Sequence, residues 1–153
     1  MRSGTARMRH RRRLHGERRL RGAAPVVEGD DVKFLLIMHG NPLVWDALTA
    51  EERDEVMSGH GAFMETVRKS GEMIGTVALA DPAQSAVVRV RSGVPAVTDG
   101  PYLEAKEYLG GYYLVECDSR ERALELAALI PDAGVEGLGV EVRPVVYAGT
   151  ADD

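Results

Sequence analysis

His60 falls on a stripe of apolar residues at helical spacing, with Val56 four positions before it and Phe63 and Val67 three and seven after it. A neutral imidazole in such a place can take up a proton near pH 7, which is the work of a general base. The position equally suits a core histidine with one nitrogen hydrogen-bonded, and the residues alone leave both readings open. Gly59 and Gly61 flank the ring. Each costs a helix about 1 kcal/mol relative to alanine. Something therefore packs closely there, or the helix is locally irregular.

A second group of polar residues lies at Asp99-Gly100-Pro101-Tyr102, followed by Glu104, Lys106 and Glu107. Aspartate before Gly-Pro is a turn former. In the functional reading Asp99 orients His60, since a carboxylate on an imidazole fixes its tautomer and raises its basicity. Glu104 would supply a second carboxylate, and Lys106 would bind an anionic group or stabilise an enolate. Tyr102 would pack against a substrate. His39, at a strand end beside Gly40, would line the same pocket. The catalytic candidates are thus His60 and Asp99, and the substrate-binding candidates Tyr102, Glu104, Lys106 and His39.

Other chemistry has little support. His39 and His60 lack a third ligand at any recognised metal spacing, so no metal and no cofactor is expected. No glycine-rich phosphate loop is present. Cys117 ends an apolar run, has no local group to activate it, and reads as buried.

The elements that must position these residues are legible from their patterns. Phe34 to Met38 is a continuous apolar run, followed by the turn signal Gly40-Asn41-Pro42, and reads as a strand buried on both faces. Thr49 and Glu52 form a capping box that opens a helix to about Lys69, with Gly71 as its stop. Met73 to Leu79 is a strand, and Ala86–Arg91 with Val94–Thr98 a hairpin around Ser92-Gly93. Tyr112 to Cys117 is a strand. A second helix starts after Asp118-Ser119, with Ala123, Leu126, Ala127 and Ile130 on its inner stripe and Pro131 closing it. Val140 to Val146 is the last strand.

This order predicts an α+β fold, a ferredoxin-like split βαβ sandwich with an inserted β-hairpin. Two helices cover one sheet face only, while the first strand is apolar on both. A second copy of the chain is the simplest cover, so a homodimer is expected.

The domain is expected over residues 32–148, with a short acidic tail at 149–153. Residues 1–31 carry nine arginines and four acids. They read as a disordered basic leader, or as a start site placed too early, with Val32 as the alternative initiation point. The remaining chain has ten basic and twenty acidic residues, so it repels nucleic acid. No stretch approaches the roughly 20 apolar residues that cross a bilayer. The single Cys117 fits a reducing, cytoplasmic setting.

The run Asp99-Gly100-Pro101-Tyr102-x-Glu104-x-Lys106-Glu107, with Gly110-Gly111-Tyr112 after it, resembles the DGPF signature of the YCII-related family. The opening Lys33 to Met38 and the closing Glu141-Val142-Arg143-Pro144 fit as well, so the resemblance spans Val32 to about Ala148. Tyr102 stands where the family usually has Phe. The resemblance implies a dimeric α+β barrel and a proposed enzymatic role built on a His and an Asp. The His corresponds to His60, eleven residues before Gly71. The Asp position, directly before the proline that ends the second helix, is Ile130 here, and Asp99 is the expected substitute. With His60 as base and Asp99 as its orienting partner, the activity expected is cofactor-free proton transfer on a small metabolite, of isomerase or lyase type. The alternative is a ligand-sensing or adaptor protein, because such proteins resemble partners of extracytoplasmic-function sigma factors.

Overall fold

The computed structural model describes residues 32–153; the expected leader at 1–31 lies outside the described residues. Six strands and three helices form a mixed α+β fold. They are β1 (Val32–Gly40), α1 (Pro42–Ala47), α2 (Ala50–Lys69), β2 (Met73–Ala78), β3 (Ala86–Arg91), β4 (Val94–Asp99), β5 (Tyr108–Cys117), α3 (Arg120–Ala128) and β6 (Val140–Pro144). Short 3₁₀ turns occupy Pro82–Gln84 and Pro131–Gly134.

Four strands make one antiparallel sheet in the order β2-β5-β1-β6. The hairpin β3–β4 forms a separate two-stranded sheet. Alternation along the strands sends Phe34, Leu36, Tyr113, Val115 and Cys117 into one core, which Phe63 and Val67 of α2 and Ala123, Leu126 and Ala127 of α3 complete. The other sheet face carries Leu35, Ile37, His39, Tyr112, Leu114, Glu141 and Arg143, in phase across the register pairs Leu35–Leu114, Ile37–Tyr112 and Ile37–Glu141. Neither long helix packs on it.

Two starts are set by side-chain caps. Thr49 Oγ1 accepts the Glu52 N–H at 3.1 Å, and Ser119 Oγ accepts the Arg122 N–H at 3.1 Å. Arg122 also grips Glu72 with two bonds of 2.8 and 2.9 Å, tying α3 to the connection before β2. That guanidinium holds the Glu72 carboxyl below its usual range.

Three expectations are corrected. Gly40-Asn41-Pro42 is more than a turn: Asn41 accepts the Leu43 N–H and opens α1 with Pro42 at its first position. The strand expected from Tyr112 begins at Tyr108 and runs through Gly110 and Gly111. A Cβ on Gly111 would sit 2.5 Å from the Val77 carbonyl oxygen, so glycine is what lets β2 and β5 close there. The last strand stops at Pro144, short of Val146. Among the described residues no helix is long and apolar enough to cross a membrane.

Candidate active site

The His60 ring is held at both nitrogens. Nε2 lies 2.8 Å from Asp132 Oδ1 and Nδ1 lies 2.7 Å from the Tyr113 hydroxyl. A carboxylate can only accept, so Nε2 carries the proton, and Nδ1 accepts from the Tyr113 O–H. The three residues come from three elements: α2, β5 and the 3₁₀ turn after α3. The Asp132 and His60 side chains keep 15 % and 18 % exposure, so the pair is largely but not wholly shielded from solvent. Tyr113 is buried at 3 %, stacks near the imidazole at 5.9 Å and meets Phe63 edge-on at 4.7 Å. Burial, and then the Asp132 charge, push its phenol up to about 12; it remains a proton donor across the physiological range.

Local sequence explains why these groups meet. Gly59 is the point of contact between α2 and the turn: a Cβ there would lie 2.4 Å from Pro131 Cγ. The absence of a side chain lets Pro131 sit against α2 and brings Asp132 beside His60. Gly61 has open space around it. Gly59→Ala is therefore expected to cost about 1–2 kcal/mol by forcing the turn away. Gly61→Ala is expected to add about 0.5–1 kcal/mol of helix stability. Urea unfolding of the two variants measures both.

The expected partner Asp99 does not serve His60. Both ring nitrogens are taken, and Asp99 ends β4, opposite Ala86 of the separate hairpin. The carboxylate comes from Asp132, two residues beyond Ile130, because the chain after α3 turns through Pro131 before presenting an acid.

His39 and His60 do not share a pocket. His39 lies on the sheet face away from the helices, where its Nε2 meets Glu141 Oε1 at 2.8 Å. Tyr102 lines a cavity of about 640 Å³ together with His39, while Glu104 and Lys106 are exposed and line neither this cavity nor its neighbour. Tyr102 also lies under Arg89, 5.7 Å from the ring centroid.

A different cavity, of about 500 Å³, approaches the His60 group through Val56 and Pro131, though none of His60, Tyr113 and Asp132 lines it. Leu48, Glu52, Val56, Pro131, Val135 and Glu136 line it, so it starts one helical turn before His60 and ends next to Asp132. Cys117 is buried, its thiol pushed up chiefly by burial, which leaves it a poor nucleophile. Among the described residues no three His, Cys, Asp or Glu side chains converge as a metal site would require.

Sequence reasoning missed Asp132, Tyr113 and Glu141. Tyr113 was findable, since it is in phase with Val115 and Cys117 on an inward face. Glu141 alternates with Arg143 on the face of His39 and was findable the same way.

The model of a family described as a YCII-related domain matches residues 32–147. An uncharacterised protein of Rhizobium meliloti (strain 1021) is 30% identical over 112 residues, which cover 73% of this chain and 90% of that relative.

Proposed function

The chain belongs to the YCII-related family, and from that premise we propose a small-molecule enzyme that moves protons without a cofactor, of isomerase or lyase type, with His60 as its base. The observation that carries the reading is the bridged imidazole, with Asp132 at one nitrogen and the Tyr113 hydroxyl at the other. A carboxylate so placed fixes the tautomer and offsets the charge of the imidazolium that forms. A substrate entering beside the 131–134 turn meets the partly exposed imidazole, and its body lies in the cavity bounded by Val56 and Pro131. Nδ1 takes a proton from a carbon next to a carbonyl as the Tyr113 O–H leaves that nitrogen. The O–H then donates to the enolate oxygen. Returning the proton to a neighbouring carbon gives an isomer; loss of a leaving group gives a lyase product. Asp99, Glu104 and Lys106 have no part in these steps.

Solvent exchange tests this without knowledge of the substrate. The full-length protein is incubated in D₂O with pooled carbonyl metabolites and followed by proton NMR. The reading expects one resonance to vanish with wild type and to persist with His60→Gln. Equal exchange by both proteins contradicts it.

The strand order β2-β5-β1-β6, with both long helices on one face, supports a ferredoxin-like plan. Leu35, Ile37, Tyr112 and Leu114 on the other face support a second copy as its cover, giving the dimeric α+β barrel. Leu114→Arg is expected to convert the dimer to monomer in light-scattering chromatography. An unchanged mass at micromolar concentration contradicts the dimer.

A second reading has its own observation. Val88, Val90 and Val97 share one face of the β3–β4 hairpin and are each more than 60 % exposed, a surface suited to protein contact. It supports a ligand-sensing or adaptor role toward an extracytoplasmic-function sigma factor. That role expects Val90→Glu to abolish such binding and His60→Gln to leave it intact. The single cysteine remains the support for a cytoplasmic setting.

A further inference from the structure

The sheet face away from α2 and α3 holds a hollow that the His60 chemistry does not use. His39 stands at the end of β1. The Glu141 carboxylate takes its Nε2 at 2.8 Å and the Arg143 Nε at 2.6 Å. Those two partners hold Glu141 below the usual carboxylate range, His39 contributing most. With Nε2–H donating to Glu141, Nδ1 of a neutral His39 is an acceptor. No described group occupies it.

His39 and Glu107 each line two cavities, of about 640 and 390 Å³. The cavities therefore meet at these two residues. Leu79, Pro82, Tyr102 and Leu109 give the larger one apolar walls, and the Gly137–Gly139 segment bounds the smaller. Neither is lined by a lysine or arginine. Among the described residues Glu107 has no ion-pair partner. The junction thus offers two acceptors, the Glu107 carboxylate and His39 Nδ1, and no cation to receive an acid. Apolar walls with a few convergent polar groups are what a small-molecule site needs. An occupant that satisfies these acceptors must bring the donors itself.

We propose that this hollow is a ligand site, separate from His60, for a small amphiphile with an apolar ring or short chain and a hydrogen-bond-donating cationic head, a primary amine or amidine. The apolar part lies along Leu79, Tyr102 and Leu109, and the head bonds Glu107 and His39. The site lies toward the β1 end of its face, beyond the Leu35–Leu114 pair on which a second copy would rest.

Three isosteric probes test it by titration calorimetry on the full-length protein: 4-phenylbutylamine, 4-phenylbutanol and 4-phenylbutyrate. The amine is expected to bind about tenfold more tightly than the alcohol, and the carboxylate most weakly. Glu107→Gln, a conservative change at an exposed position, is expected to reduce the amine to the level of the alcohol. Tyr102→Ala is expected to weaken all three alike. Asp132→Asn is expected to change none of them. The proposal is overturned if the amine shows no saturable binding in the millimolar range, if the three probes bind equally, if the carboxylate binds best, or if the preference for amine survives Glu107→Gln. It is also overturned if Asp132→Asn abolishes binding, since the probe would then occupy the His60 site.

Discussion

His60→Gln is expected to slow deuterium exchange into substrate by about 10²–10⁴-fold, the usual worth of a positioned general base. The thermal midpoint should move by only a few degrees, because glutamine keeps a polar side chain between Asp132 and Tyr113. Asp132→Asn is expected to lose nearly as much activity for a different reason. An amide can donate as well as accept, so the imidazole is no longer held as the Nε2–H tautomer with Nδ1 unprotonated. The double variant should be little worse than either single one, because the two residues act as a unit. If the losses multiplied instead, the pair would not be one device. If Asp99→Asn matched Asp132→Asn, the assignment of the carboxylate would be wrong.

Tyr113 gives the second large effect, and it appears in alkaline solution. Its folded value of about 12 stands above the ordinary phenol value of 10.0. Below pH 10 the phenol is protonated in folded and unfolded chains alike, so its contribution to stability is fully present. Between pH 10 and 12 the unfolded chain ionises first. The unfolded state then gains relative to the folded one, and stability falls with rising pH. Over the whole window the loss is about 2–3 kcal/mol for this nearly inaccessible group. Urea unfolding at successive pH values should reveal the decline in wild type. Tyr113→Phe should remove that decline and, at neutral pH, cost about 1–2 kcal/mol for the hydrogen bond left unmade at His60. A wild-type curve as flat as that of the variant would contradict the burial of this phenol and its exposure to the Asp132 charge.

Much of the fold was legible because its signals are local. Thr49 and Ser119 cap the helices where capping chemistry placed them, and the β3–β4 hairpin turns at Ser92-Gly93 as its residues require. The α2 stripe of Val56, Phe63 and Val67 is buried with His60 among them. The site was half legible. His60 is legible from its stripe, and close packing at Gly59 is one of the two readings that the cost of glycine in a helix allows. The identity of what approaches could not be read, because Pro131 is 72 residues away along the chain and only the packed fold brings it there. Asp132 was missed for the same reason. The resemblance places the acid directly before the proline, where this chain has Ile130, whereas the 3₁₀ turn presents the acid just after it. His39 and His60 were assigned to one pocket because spacing alone gave no side. Counting alternation from Leu36 and Val142 puts His39 on the opposite face, and that count was available.

Base catalysis by His60 requires one protonation pattern of its ring, which side-chain nitrogen NMR reads directly. Long-range nitrogen–proton correlation spectra are recorded at mildly alkaline pH, where an ordinary imidazole is neutral. His60 should appear as a single Nε2–H tautomer with an unprotonated, hydrogen-bonded Nδ1, and Asp132→Asn should abolish that pattern. A His60 that averages between tautomers like a free histidine, or one protonated at Nδ1, would contradict the Asp132–His60–Tyr113 relay and the function proposed from it.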